Sequence, residues 1–535
     1  MTSAAEIAPE SHRHPLAFRL GLVLTVAGAA LHVPMFLHAR DMHYRLAGMA
    51  MTQEMLLGML LLLAGVGLAF YGLLRGGPAI PRRSERISIR PLDDAPLRPA
   101  HIVLLLVLAA AVTIDVMKPV SLAFTAPGAA AEYGLQGPLN PTADALPIAL
   151  YPLSGITGTM IGAFLWGWLG DRVGRRSSIL LAAVVFIATS TCGAMPSYWL
   201  NLLMCFAMGL GVGGMLPITF ALLCETVPRR HRGWMMILTG SDIAGAYIIV
   251  SWLASTWASP DHFGWRLLWL IGLPTGVLLL VLNRWIPESP RFLLMNGRTE
   301  EAAAVMRRYG AAIVESAPEP IVEKKVRNSS WQLARPPFLG LSAAVALLAL
   351  SVGTTQYGFQ QWMPSNLQRL GLSGVDASAI LRNAAIIGFP LSLPVALLYG
   401  LWSSKKTVLL VTVLMGASLS AFVLLGDRVV DNHAVLYVLL VIPIWGINIL
   451  NAVLAAYTAE VYPTAIRARG SGFSAGVTKA GGVLILAAAV AAITAPSIRT
   501  TAALGMLPMA LAVCALATYG PETGRQSLEQ ITADR

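Results

Sequence analysis

Charge is scarce in this chain. Asp, Glu, Lys and Arg make up 12% of 535 residues, where a soluble globular protein carries about 25%. With 56% hydrophobic residues and a mean hydropathy of +0.67, that scarcity excludes a soluble domain and leaves an integral membrane protein. Cysteine is as sparse. Cys192, Cys205, Cys224 and Cys514 lie within or at the ends of apolar runs and form no C-x-x-C. They read as buried helix residues and give no redox compartment. No G-x-x-x-x-G-K-[ST] loop is present, and no nucleophile elbow, H-E-x-x-H or metal-hydrolase cluster stands out. Neither a nucleotide-driven pump nor an enzyme is expected, and no cofactor. The net charge of +11 would suit nucleic acid, but the basic residues sit in short clusters between apolar runs. That placement reads as membrane topology, and no nucleic-acid partner is expected.

What the chain has in excess is long apolar runs. They recur at about 16–37, 50–75, 101–126, 147–170, 177–195, 198–224, 233–257 and 266–285. After a polar gap they resume at about 337–361, 378–400, 406–426, 434–461, 470–494 and 499–520. Each is long enough to cross a bilayer as a helix, so about 14 transmembrane helices and an all-α fold are expected. The first run leads directly into a second, so no cleavable signal is expected. Lys and Arg concentrate in every second loop: across 76–100, at Arg172, Arg175 and Arg176, at Arg229, Arg230 and Arg232, across 284–336, at Lys405 and Lys406, and at Arg467 and Arg469. The positive-inside rule then places both termini and the central loop in the cytoplasm of a multi-pass protein of the cytoplasmic membrane. The resulting organisation is a hairpin over 1–76, a linker over 77–100, six helices over 101–285, a cytoplasmic loop over 286–336, six helices over 337–520 and a tail over 521–535.

The two sixes repeat. Glu225, Pro228 and Arg232 follow the fourth core helix as E-x-x-P-x-x-x-R, and Glu460, Pro463 and Arg467 form the same pattern in the second half. Pro287-Glu288-Ser289 returns as Pro521-Glu522-Thr523. Two related six-helix halves around a midplane cavity are the sequence signature of alternating access.

The motifs carry a resemblance. GWLGDRVGRR, with Gly167, Asp171, Gly174, Arg175 and Arg176, is similar to the loop 2–3 signature of the major facilitator superfamily. PESPRFLLMNGR, with Glu288 and Arg291, resembles its sugar-porter and organic-ion branches. So do AEVYPTAIRARGSGF and the ending PETGRQSLEQI, with Glu522. The resemblance covers about 101–530 and implies a twelve-helix fold plus the N-terminal hairpin. It implies that these motifs gate, holding the halves together in the outward-facing state. The alternative is that they only set topology and loop geometry. The second half reads LYGLWSSKKTVLL where a matching loop should stand, without the acid, so an asymmetric gate is expected with its acidic partner in the first half alone.

Charges at membrane depth are costly and mark function. Asp115 and Lys118 lie in the first core helix, Asp242 in the fifth, Arg382 with Asn383 in the eighth, and Lys479 in the eleventh. Gln356, Tyr357, Gln360, Gln361 and Trp362 sit toward the end of the seventh, and Asn448 and Asn451 in the tenth. In the superfamily, helices 1, 4, 7 and 10 line the cavity with 5, 8 and 11 beside them. Asp115 and Lys118 can form an i, i+3 ion pair. Alternatively, Asp115 carries the proton while Lys118, with Lys479 or Arg382, binds an anionic group. Asp242 is either a second protonation site or a buried hydrogen-bonded acid. In the aromatic-acid symporters of the superfamily, the first core helix begins D-G-x-D, with a proline twelve residues after the first acid. Asp115 and Pro127 keep that spacing, but Lys118 stands where the second acid would be. The seventh helix, TTQYGFQQWMPSN, departs from the double-glutamine and G-x-N pattern of sugar porters, so sugar is disfavoured.

A proton-coupled, monomeric carrier of a small organic anion, aromatic or other carboxylate, is the expectation. Three alternatives stand beside it. A sugar or drug carrier and a non-transporting sensor on the same fold are two. The third is a copper-linked function of the Met- and His-rich hairpin, with His38, Met42, His43, Met51 and Met55 as soft-metal ligands. Methionine also packs well in apolar helices without any metal.

Overall fold

A computed structural model of the chain describes residues 14–74, 90–137, 140, 145–258, 262–311, 333–431, 433–462, 467–491 and 497–523. Among the described residues, thirteen helices are long and apolar enough to cross a membrane. In chain order the spanning helices are α1 (Pro15–Met42), α2 (Gln53–Leu74), α3 (Pro99–Tyr133), α4 (Leu150–Val173), α5 (Arg175–Ala194), α6 (Tyr198–Thr226) and α7 (Arg229–Ser255). They continue as α8 (Leu267–Trp285), α9 (Leu339–Arg369), α10 (Gly374–Trp402), α11 (Ser404–Leu425), α12 (Ala434–Val461), α13 (Gly470–Ala491) and α14 (Ile498–Tyr519). The fourteenth by hydropathy is α4. Its 24 residues suffice in length, but glycine, serine and threonine dilute its apolar character. Helices are the form open to such runs, because a bilayer offers no water to unsatisfied backbone groups.

Small residues bring the helices together. A β-carbon on Gly209 of α6 would lie 2.0 Å from the carbonyl oxygen of Gly155 on α4, and one on Gly158 would lie 2.2 Å from that of Phe206. With lipid on both sides there is no hydrophobic drive between helices, so this close backbone contact is what associates them. The hairpin uses the same device. Gly21 and Gly28 of α1 meet Gly65 and Gly58 of α2 at distances only glycine admits, and the pair packs on α5 and α8.

A buried ion pair fastens the hairpin's connecting loop to the core. Glu132 at the end of α3 pairs with Arg266 at 2.8 Å, their side chains 6% and 1% exposed. The backbone amides of Leu46 and Ala47 donate to the same carboxylate at 2.7 and 3.0 Å. Arg266 also donates to the carbonyls of Gly193 and Met195.

Helices α3–α8 and α9–α14 form two halves, and the seam between them is built by crossed pairs. Helix α4 packs on α13, with Phe164 against Gly476. Helix α7 packs on α10 and α12, with Gly233 against Tyr399 and Gly240 against Ala452. Backbone irregularities fall along this seam. Helix α7 is divided at Asp242, and α9 contains a π-helical stretch, Thr355–Gln360.

Candidate functional site

Between the halves lies a cleft of about 810 Å³, counting the part open to solvent. From the first half, α3 contributes Asp115, Val116, Pro119 and Val120, α6 contributes Val212 and Leu216, and α7 contributes Ile243 and Tyr247. From the second half come Gln356, Tyr357, Gln360 and Gln361 of α9, Asn451 of α12, and Ala475 and Lys479 of α13. The π-helical stretch explains the cluster on α9. A wider turn brings residues four and five apart onto one face, so Gln356, Gln360 and Gln361 meet the cavity together. The walls are largely apolar with a few polar groups, the usual constitution of a small-molecule site.

The second-half groups are partly satisfied among themselves. Lys479 Nζ donates to Tyr357 Oη at 2.7 Å, and Asn451 Nδ2 donates to Gln356 Oε1 at 3.2 Å. Other groups have no partner among the described residues. Tyr247 Oη, Gln360 Nε2 and Gln361 Nε2 are buried without a hydrogen bond. Asp115, 3% exposed, faces the cavity and makes neither a hydrogen bond nor an ion pair among the described residues. A buried polar group left unpaired costs about 1–3 kcal/mol, so three of them around one cleft, beside the Asp115 carboxyl, is the arrangement of a site completed by a ligand or by water.

The pair expected at Asp115 and Lys118 is split. Lys118 leaves the cavity and enters the interior of the first half, where Nζ donates to the Phe186 carbonyl and to Thr189 Oγ1 at 2.8 Å. It sits 3.9 Å over the Phe186 ring. It therefore forms no i, i+3 ion pair with Asp115 and has no place beside a substrate in the cleft. Asp242 accepts a hydrogen bond from Thr113 of α3 and does not line the cleft. Arg382 bonds Asn383 and Ser255, and Asn448 bonds the Ile444 carbonyl of its own helix. Neither lines the cleft. Gln361 lines the site beside Gln360, and Tyr247 joins it unannounced. The signal of Tyr247 in the sequence is a polar tip inside an apolar run, which many membrane helices show.

The repeated motifs converge at the end of the bundle that carries the arginine-rich loops. Glu288 accepts from the backbone amides of Arg175 at 2.7 Å and Arg176 at 3.5 Å, capping the first turn of α5. The Arg175 guanidinium pairs with Glu225 at 3.3 Å. Gly174, at φ 97°, makes the turn, and a β-carbon there would lie 2.3 Å from Glu288 Oε2. Glu522 does the same for α11, accepting from the Ser404 amide at 2.9 Å, from Ser404 Oγ at 2.5 Å and from Ser403 Oγ. Glu460 accepts from Tyr399 Oη at 2.8 Å and Thr523 Oγ1 at 2.7 Å. The expected asymmetry is thus corrected. The second half has an acid on its helix N-terminus, where the macrodipole favours one, but Glu522 brings it from the far end of the chain. Gly167 lies on α4 and Arg291 in the short helix Pro290–Met295. The side chains of Asp171 and Arg467 lie outside the described residues.

The hairpin residues do not gather around a point. His38, Met42 and His43 are exposed, while Met55 is buried with Met35, Phe36, Tyr44 and Met195 in an apolar cluster against which Met51 packs. Among the described residues no three His, Cys, Asp or Glu side chains come together to hold a metal. The cysteines also divide. Cys192, Cys205 and Cys224 are buried, but Cys514 is exposed, against the expectation of four buried residues.

The profile of the Major Facilitator Superfamily matches residues 102–486. The chain belongs to that superfamily. It is 28% identical over 340 residues to the niacin transporter NiaP of Acinetobacter baylyi, covering 62% of this chain and 74% of that one. It is 28% identical over 382 residues to the putative niacin/nicotinamide transporter NiaP of Bacillus subtilis, covering 70% and 86%. The structure of the proton:xylose symporter XylE bound to 6-bromo-6-deoxy-D-glucose superposes with a TM-score of 0.63 at 18% identity, over 81% of this chain and 98% of that one.

Proposed function

We propose that this member of the major facilitator superfamily carries a small aromatic monocarboxylate of the nicotinate kind across the cytoplasmic membrane, with a proton, by alternating access. The observation that carries this is the unpaired Asp115 on one half facing Lys479 on the other across a largely apolar cleft. The names of the NiaP relatives support the substrate class. The alternation of basic and neutral loops supports cytoplasmic termini.

The cleft offers each part of such a substrate a counterpart. The carboxylate meets the Lys479 ammonium, which already holds Tyr357 in place. The ring lies against Val116, Val120, Leu216 and Ile243. A ring nitrogen can accept from the glutamine amides. An anion arriving beside Asp115 disfavours a second negative charge there, so the acid takes up a proton as the substrate binds. Substrate and proton then cross together, and the loss of one releases the other. A second reading, a neutral polyol such as a sugar, draws on the adjacent Gln360 and Gln361 with Asn451.

Uptake into proteoliposomes under an imposed pH gradient tests both readings, with labelled nicotinate, benzoate, nicotinamide and xylose as the panel. The expected result is gradient-driven accumulation of nicotinate. In Asp115→Asn that accumulation is lost while exchange of external for internal nicotinate persists. Accumulation of xylose without nicotinate would establish the second reading. An Asp115→Asn protein that still accumulates nicotinate would remove Asp115 from the coupling.

A further inference from the structure

The linker that joins the extra hairpin to the core does more than connect. Residues 90–98 lie across the arginine-rich end of the first half. Leu92 is 3% exposed and belongs to the core. Asp93 pairs with Arg232 at the start of α7, their side chains 17% and 5% exposed. Asp94 pairs with Arg229 at 2.9 Å. Arg98 reaches the Arg307 carbonyl on the surface helix Thr299–Arg308.

Arg232 is a gating-motif residue, and its partner Asp93 lies outside the twelve-helix core. Its guanidinium is incompletely used. Beyond Asp93, Nη2 makes a long contact of 3.4 Å to the Val227 carbonyl, and Nε is buried with no partner. The next acid along the seam belongs to the other half. Gly233, beside Arg232, rests against the Tyr399 ring, with a built β-carbon 3.2 Å away. The Tyr399 hydroxyl donates to Glu460 at 2.8 Å. Arg232 flanks this contact from the first half and Glu460 from the second, so opposite charges face each other through it. Arg232 therefore stands between an acid that it already holds and a second acid on the opposite half.

We propose that the linker is a regulatory strap in which Asp93 competes with Glu460 for Arg232, and so sets how readily the arginine-rich face of the seam opens. While Asp93 holds Arg232, α7 is tied to the linker of its own half and the cross-half attraction is weakened. When Asp93 lets go, Arg232 turns to Glu460 and draws α7 onto α10 and α12. The extra hairpin thereby gains a mechanical link to the gate, since the strap leads from it to α3. The inference rests on the reading of the halves as rocking bodies, and its test uses no substrate, so its failure is separable from failure of the transport assignment.

The test places spin labels on the full-length protein in lipid nanodiscs, at Arg230→Cys on the first half and Lys406→Cys on the second, both exposed, with the exposed Cys514 replaced by Ser. Interlabel distances are read by double electron–electron resonance. Asp93→Asn is expected to move the ratio of short to long distances about five- to tenfold toward short. Glu460→Gln moves it toward long, the double variant returns toward the parent, and Asp93→Glu keeps the parent distribution. An Asp93→Asn distribution that is unchanged or lengthened overturns the strap. So does a shortening that persists undiminished in the Glu460→Gln background.

Discussion

Replacing Lys479 by Met gives the sharpest test of how the cleft reads its substrate. The ammonium lies beside the cavity, donates to Tyr357 at 2.7 Å and sits 5.3 Å over its ring. Met keeps the length and apolar stem and removes the charge. Tyr357 can turn its hydroxyl to water in the cleft, so the change should leave the helix packing intact. What is lost is one charge-assisted hydrogen bond to the substrate carboxylate, worth about 1.5–3 kcal/mol. At 1.4 kcal/mol per decade, the dissociation constant for nicotinate should rise about 10- to 150-fold. Nicotinamide has the same ring and no charge, so its constant should change less than about threefold by the same arithmetic. Calorimetric titration of the purified protein with both compounds measures the two changes side by side. Lys479→Arg should recover part of the loss, because it restores a cation with a different shape. Equal weakening of both ligands would mean that Lys479 only supports Tyr357. No weakening of either would refute the assignment of the carboxylate to this wall.

Other consequences concern the scaffold. Glu132→Gln leaves the Arg266 cation buried without its counter-charge and should lower stability by about 3–5 kcal/mol; an unchanged thermal transition in detergent would contradict the anchoring of the loop at Leu46 and Ala47. Gly209→Val would force a side chain into a space where 2.0 Å separates the built β-carbon from the Gly155 carbonyl. The variant should give no monodisperse protein on size-exclusion chromatography, and a normal elution profile would refute the close packing of α4 on α6. Glu522→Gln weakens the cap on α11 and should cost about 1 kcal/mol or more, read as a drop in thermal midpoint. Glu288→Gln should cost a similar amount if the two caps are equivalent.

Much of the architecture was legible from one-dimensional pattern. Apolar runs of bilayer length give the spans, because no other structure satisfies the backbone there. The E-x-x-P-x-x-x-R repeat gives the two halves, and the PES and PET strings give two acids that later prove to cap α5 and α11. The cap of α11 is not legible locally, since LYGLWSSKKTVLL carries no acid. The helix draws one from more than a hundred residues away, a contact that no local window contains.

The cleft shows where pattern stops. By itself the sequence determined that Asp115, Lys118 and Lys479 lie at membrane depth, since depth depends only on position within an apolar run. Which of them share a site was decided by tertiary structure. Asp115 and Lys118 are three residues apart, which separates them by about 60° around the helix. That angle is small enough for an ion pair and large enough to face different neighbours. Helix α3 happens to divide them, with Asp115 toward the other half and Lys118 toward Phe186 and Thr189 within its own. The period of a helix states which residues have a common face. What that face meets depends on helices distant in sequence, and only their packing settles it.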